Sequence, residues 1–182
     1  MKTLKLRKID YRQFENENLT GIISLPKVKE IGGRAFYNSS FEGAINFPKC
    51  KWIGASSFEN SNFTSVYDLR KVERIESYAF ENSKCTGTLE IPNCNFIGGH
   101  AFANSEFSKI IIADDVHIEG NSFGKKTDDF IEVYKSTGKK GGSYSLINGR
   151  WQFDDVTFKI HKVQFVIVNG QPVMRCFVAP CI

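Results

Sequence analysis

A phenylalanine recurs every 22 residues along most of this chain, at Phe14, Phe36, Phe58, Phe80 and Phe102, and once more after 21, at Phe123. Two residues behind the first five stand Asn16, Asn38, Asn60, Asn82 and Asn104. A period of roughly 20–50 residues marks a stacked architecture, because a unit of that size cannot bury its apolar face alone and must lay it on the next copy. Cut at this step, the chain falls into LTGIISLPKVKEIGGRAFYNSS, FEGAINFPKCKWIGASSFENSN, FTSVYDLRKVERIESYAFENSK and CTGTLEIPNCNFIGGHAFANSE. A shortened FSKIIIADDVHIEGNSF follows, and the partial copy LRKIDYRQFENEN opens the series.

Each unit carries two extended stretches and a corner. The positions of Leu19, Ile23 and Leu25 are apolar with polar residues between, the period of two of a short strand buried on one side. A proline then stops the strand in three units, at Pro26, Pro48 and Pro92. A second short extended stretch carries Val28 and Ile31 and their equivalents as far as Val116 and Ile118. Small residues (Ala35, Ser57, Ala79, Ala101, Ser122) precede each phenylalanine, so neighbouring coils can approach while the rings stack beneath them. The asparagines are expected to form a ladder of side-chain amides from coil to coil.

IGGRAF, IGASSF, IESYAF and IGGHAF, in register with one another, resemble the BspA-like leucine-rich repeats, whose units run close to L-x-x-I-x-I-P, V-x-x-I-G and A-F-x-x-C. Here asparagine and serine stand near the usual cysteine. The resemblance covers about residues 1–135. It implies a β-rich solenoid, a curved right-handed leucine-rich-repeat stack of about six 22-residue coils used for binding and without catalysis. Relatives include bacterial surface proteins.

Beyond the repeat, DFIEVYK (residues 129–135) reads as a strand of one more coil, and STGKKGGS (136–143) as a flexible linker. Two hairpins are expected next, turning at Asn148-Gly149 and Asn169-Gly170, the dipeptide favoured in tight turns. Residues 136–182 are therefore taken as a small antiparallel β-hairpin unit, separate from the 1–135 solenoid, that caps the stack or attaches it to something, a second copy included.

Composition narrows the function. The hydrophobic share of 41% is ordinary for a globular chain. A net charge of +4 and a pI near 8.7 fall short of the value above about 9 expected of a nucleic-acid domain, so nucleic acid is disfavoured as a partner. The amino terminus lacks the apolar run of a secretory signal and no window reaches the length of a membrane span; the expectation is a cytoplasmic protein, with a surface or virion location left open. Of five cysteines, Cys50 and Cys94 replace the valines Val28, Val72 and Val116, and Cys85 stands where other units have Leu19 and Phe41. They are read as small buried hydrophobes, while Cys176 and Cys181 are left open.

Chemistry is sparse. His100, His117 and His161 are isolated, no zinc-ligand spacing occurs, and STGKKGGS lacks the spacing of a phosphate loop. The Asp pairs beginning at Asp114, Asp128 and Asp154 would point to opposite faces of a strand. No catalytic residue, metal site or cofactor is assigned. Binding leaves more trace. One outward column beside the first strand reads Ile22, Ala44, Val66, Thr88, Ile110, and another reads Ser24, Asn46, Asp68, Glu90, Ile112. Beside the second strand stand Lys27, Lys49 and Lys71, with Lys29 and Lys51 two places on. Like charges about 5 Å apart repel by roughly 0.8 kcal/mol in water, little enough for plain solvation to explain them. The reading is a non-catalytic protein-binding or assembly module, its candidate contacts being Ser24, Asn46, Asp68, Glu90 and the lysines Lys27, Lys29, Lys49, Lys51 and Lys71. Polyanion binding through the lysines and an exported adhesin are the alternatives.

Overall fold

The longest ladder among the described residues consists of six parallel strands of two residues each: Lys8–Ile9, Glu30–Ile31, Trp52–Ile53, Arg74–Ile75, Phe96–Ile97 and His117–Ile118. The computed structural model describes residues 2–3, 5–20, 23–42, 44–61, 65–66, 68–83, 85–124, 128–154, 160–168 and 171–178. Neighbouring strands pair residues 22 apart up to Arg74↔Phe96 and Ile75↔Ile97, then 21 apart in Phe96↔His117. Ile9, Ile31, Ile53, Ile75 and Ile97 are fully buried, and the residue before each points outward, as the pleat requires.

A second face carries the first strand of each coil. Lys2–Thr3, Ile23–Ser24, Ala44–Asn46 and Ser65–Val66 form one parallel ladder. Thr86–Ile91 and Glu106–Ile112 begin another, which Gly142–Ile147 and Arg150–Phe153 continue antiparallel. The third face consists of turns, yet its backbone is bonded as fully as a strand. Phe36, Phe58, Phe80 and Phe102 donate their N–H to the carbonyls of Ser57, Ala79, Ala101 and Ser122 at 2.7–2.8 Å, flanked by bonds such as Arg34 to Ala55 (2.9 Å) and Asn38 to Glu59 (2.8 Å).

Two residues in every turn are left-handed. Arg34 and Asn38 have φ of 53° and 52°, Tyr78 and Asn82 have 61° and 57°, and His100 and Asn104 have 58° and 62°. The asparagine column thus fills a conformation that asparagine tolerates better than other residues with a side chain. The amide ladder is present as well: Asn38 donates to Asn16 (2.9 Å), Asn82 to Asn60 (2.8 Å) and Asn104 to Asn82 (2.6 Å). One step differs, because Asn60 turns its amide to Glu59 at 3.5 Å. Behind three of the asparagines a buried serine bonds a carbonyl of the turns, Ser83 to Phe80 (2.6 Å), Ser61 to Phe58, and Ser39 to Phe14 of the preceding coil (2.6 Å), whereas Ser105 Oγ behind Asn104 has no partner among the described residues. The corner glycine has its own reason: a Cβ on Gly98 would lie 2.3 Å from the backbone nitrogen of Ser77.

Inside, the rings form one continuous column. Phe14, Phe36, Phe58, Phe80, Phe102 and Phe123 stack with centroids 5.0–5.5 Å apart and planes within 15°. The column ends where Phe130 meets Phe123 edge-on at 5.1 Å. Phe130 and Tyr134 come from a helix, Asp128–Ser136, and the sequence reading of DFIEVYK as a strand is corrected. A strand would place Glu132 on the buried face with Phe130 and Tyr134; the helix leaves Glu132 exposed and buries the two rings one turn apart. The Tyr134 hydroxyl anchors it, accepting from Val116 N–H (3.0 Å) and donating to the Ala113 carbonyl (2.8 Å).

STGKKGGS is not a loose linker. Gly138, with φ of 72°, closes the helix, Lys139 N–H bonds the Tyr134 carbonyl at 2.9 Å, and Gly141 N–H bonds Asp114 Oδ1 at 2.7 Å. The chain then enters the hairpin 142–153, whose corner residues Asn148 and Gly149 have φ of 50° and 76°, the turn expected of that dipeptide. Tyr144 and Trp151 of this hairpin pack on Phe130. Through Phe130, helix and hairpin together pack against Phe123, the last ring of the column. Ile160–Val168 and Gln171–Val178 pair with each other; the Asn169-Gly170 turn and Cys181 lie outside the described residues.

Cys50, Cys85 and Cys94 are free and buried. Burial pushes the Cys50 thiol up to about 12 and those of Cys85 and Cys94 to about 11. All three are expected to resist iodoacetamide at pH 8 in the folded protein and to react fully in guanidinium, as peptide mass spectrometry would read. Labelling of Cys50 or Cys94 before unfolding would mean the core opens.

Candidate binding surfaces

The lysine columns divide in two. Lys29 N–H bonds the Arg7 carbonyl at 2.9 Å and Lys51 N–H the Lys29 carbonyl at 2.8 Å, so Arg7, Lys29 and Lys51 lie on successive coils. Lys51 is taken up by Glu73 at 2.6 Å, and Lys71 lies in the field around Asp68. Lys27, Lys29 and Lys49 instead gather with Arg7 around one surface depression. Arg7 was not singled out in the sequence, although it sits 22 residues before Lys29; the opening partial repeat was the available signal.

On the first-strand face the candidates separate further. Ser24 is only 9% exposed. Asn46 is half-buried, and its Oδ1 has no hydrogen-bond partner among the described residues. Asp68 accepts three bonds at 3.1 Å from Arg70, from Nε, Nη2 and the backbone N–H. The Arg70 guanidinium holds its carboxyl below the usual carboxylate range. Glu90 and Thr88 are exposed. Ile110 and Ile112, expected in the outward columns, are buried at 0% and 2% exposure. The shortened coil is the cause. Leu89 pairs with Ile110 and Ile91 with Ile112, after a register shift between Gly87 and Thr88, and a slip of one residue exchanges the two faces of a strand. Ile22 lies outside the described residues.

Asp68 and Glu90 share a feature absent from the sequence reading. Among the described residues Thr86–Ile91 pairs on one side only, with Glu106–Ile112, and the ladder of the earlier coils stops at Ser65–Val66. A cleft of about 310 Å³ opens beside Thr86–Ile91. Asp68, Arg70, Thr86, Thr88 and Glu90 form its polar lining, and Leu69, Leu89, Cys85, Phe102 and Phe107 its apolar lining. No repeated motif announces it, because its walls come from three different coils.

A third outward row also escaped the sequence reading. The Arg74 guanidinium lies 3.6 Å over the Phe96 ring, which stacks on His117 at 5.5 Å. Trp52 Nε1 and Arg74 Nε both donate to Glu76 Oε1, at 3.0 and 2.6 Å. His100 stacks on Tyr78 at 5.2 Å. Two acids of the Asp pairs have structural partners: Asp114 takes the Gly141 N–H, and Asp154 takes Ser143 (2.6 Å), Ser145 (2.8 Å) and Lys109 (3.3 Å).

Compared with known protein families, residues 7–128 match the BspA type leucine-rich repeat region in six copies. The chain belongs to that family. No curated protein and no solved structure matches it. As a BspA-type leucine-rich-repeat protein it has the solenoid that the repeated phenylalanines imply, and the family points to protein interaction or a scaffold role. No helix among the described residues is long and apolar enough to cross a membrane.

Proposed function

We propose that this BspA-type solenoid is a non-catalytic platform that binds another protein on the face of its first strands, with the cleft beside Thr86–Ile91 at the centre of the contact. The cleft carries this reading. Its apolar residues Leu69, Leu89 and Phe107 are bordered by the charges of Asp68, Arg70 and Glu90, the arrangement of apolar centre and polar rim found at recognition sites. The platform is held from both other faces, by the six-strand ladder and by the turn bonds, so the rim groups keep their spacing without ordering cost on binding. Leucine-rich repeats of this family are generally non-catalytic, in keeping with a surface built for contact.

In the same proposal the carboxy-terminal region has two roles. Residues 136–154 serve the cap, supported by the packing of Tyr144 and Trp151 on Phe130. The hairpin of Ile160–Val168 and Gln171–Val178, which pairs within itself, serves attachment or self-association.

Thr88 is exposed and lines the cleft, which makes it the position to test. Thr88→Arg is expected to lower partner recovery in affinity capture at least about tenfold while changing stability by less than about 0.5 kcal/mol. A photo-reactive residue at position 88 should cross-link the same partner. Undiminished recovery with Thr88→Arg would exclude the cleft as the contact.

A further inference from the structure

Arg7, Lys27, Lys29 and Lys49 surround one depression on the outside of the first coils, and among the described residues none of the four forms an ion pair. Nearby cations are treated differently. Lys8 is held by Glu30 at 3.2 Å and Lys51 by Glu73 at 2.6 Å. Among the described residues the cations that flank the depression are thus neutralised and those around it are unmatched.

We propose that this depression is a second docking surface, which takes an acidic, extended segment of a partner protein. Parallel backbones place Arg7 beside Lys29 at about 4.8 Å, the Lys29 N–H bonding the Arg7 carbonyl, while Lys27 and Lys49 occupy equivalent turns of successive coils, closed by Val28 N–H to Leu25 and Cys50 N–H to Phe47. Alternate carboxylates on an extended peptide repeat at about 6.6 Å and lie on one side. An extended segment with several acidic residues therefore turns two or more carboxylates into the depression, where Arg7, Lys27, Lys29 and Lys49 surround them. The basic ground is short. Glu30 follows Lys29 directly, and on the third coil Glu73 has already engaged Lys51. A nucleic-acid strand running along the stack would leave the cations within about three coils and meet these carboxylates, whereas a short acidic segment stays within the depression. This surface is independent of the cleft, and the two proposals stand or fall separately.

The test uses the intact chain and a fluorescent octaglutamate peptide, read by anisotropy, beside octaglutamine and an oligothymidylate of eight nucleotides. Octaglutamate is expected to bind, and its affinity to fall about tenfold or more between roughly 50 and 200 mM salt. The triple variant Lys27→Gln, Lys29→Gln, Lys49→Gln should lose about tenfold in affinity at the lower salt. Lys135→Gln, Lys139→Gln, Arg150→Gln removes the same three charges from exposed sites elsewhere and should lose less than about twofold. Carbodiimide coupling of octaglutamate to the unaltered protein should join its carboxylates to Lys27, Lys29 or Lys49, as peptide mapping would read, and this arm needs no variant to fold. Binding no tighter than octaglutamine, equal losses in the two triple variants, or coupling spread evenly over the other lysines would each overturn the proposal. Tighter binding of oligothymidylate would overturn it in favour of a nucleic-acid surface.

Discussion

Phe58→Ala is expected to destabilise the fold by about 3–5 kcal/mol. Phe58 is fully buried, with Phe36 at 5.1 Å on one side, Phe80 at 5.0 Å on the other and Phe47 at 5.9 Å across the coil. Truncation therefore removes three stacked contacts and opens a void that the bonded turn backbone cannot close. Phe14 offers the internal comparison. It is half-buried and stacks on one side, with Phe36, so Phe14→Ala should cost less than half as much. Urea unfolding of both variants measures the difference. A stack is held by neighbour contacts, so a break at Phe58 should also loosen the coupling between its halves and lower the denaturant slope. Equal costs at positions 14 and 58, with unchanged slopes, would mean that the column does not act as a spine.

Repetition made the fold legible. Five phenylalanines in step force a common environment, and any strand or corner assigned in one unit is tested by the next. That is why the second-strand ladder, the ring column and the burial of Cys50, Cys85 and Cys94 could all be read from residue types alone. Legibility failed where the repeat changed. Phe130 and Tyr134 are four residues apart, a spacing that satisfies a period of two and a period of 3.6, and only the charge of Glu132 between them favours the helix. In the shortened coil one missing residue turned Ile110 and Ile112 inward, and counting from the phenylalanines could not say on which side of the strand the deletion fell.

The surfaces were harder to read because a surface is made by juxtaposition across coils. Lys27, Lys29 and Lys49 were visible as columns; that Lys51 is paired, while among the described residues these three are not, depends on where the acids fall, with Glu73 one coil beyond Lys51. Asp68 and Glu90 were named for their column, but the cleft that unites them is walled by residues of three coils, and such a meeting leaves no signature in residue type. Arg74 over Phe96 follows the 22-residue step, yet the outward position holds Lys8, Glu30, Trp52, Arg74, Phe96 and His117 in turn, and such a row reads as variable until the backbone aligns it.

The asparagine column separates two physical causes that the sequence could not, since one residue serves both a left-handed backbone and an amide ladder. At Asn82 φ is 57°, and the side chain donates to Asn60 and accepts from Asn104. Asn82→Ala should cost about 2–3 kcal/mol, with roughly 1–2 from the left-handed conformation and the rest from the lost amide bonds, each worth about 0.5–1.5 in general and least where water can replace it. Asn82→Gly loses the same bonds but adopts that backbone readily, so its cost should be about half as large. Chemical denaturation of the two variants beside the parent measures both. If glycine costs as much as alanine, the backbone is not the reason for the column and the amide ladder alone sustains it. If glycine is neutral, the ladder adds nothing, and asparagine stands at each turn because it tolerates the left-handed region.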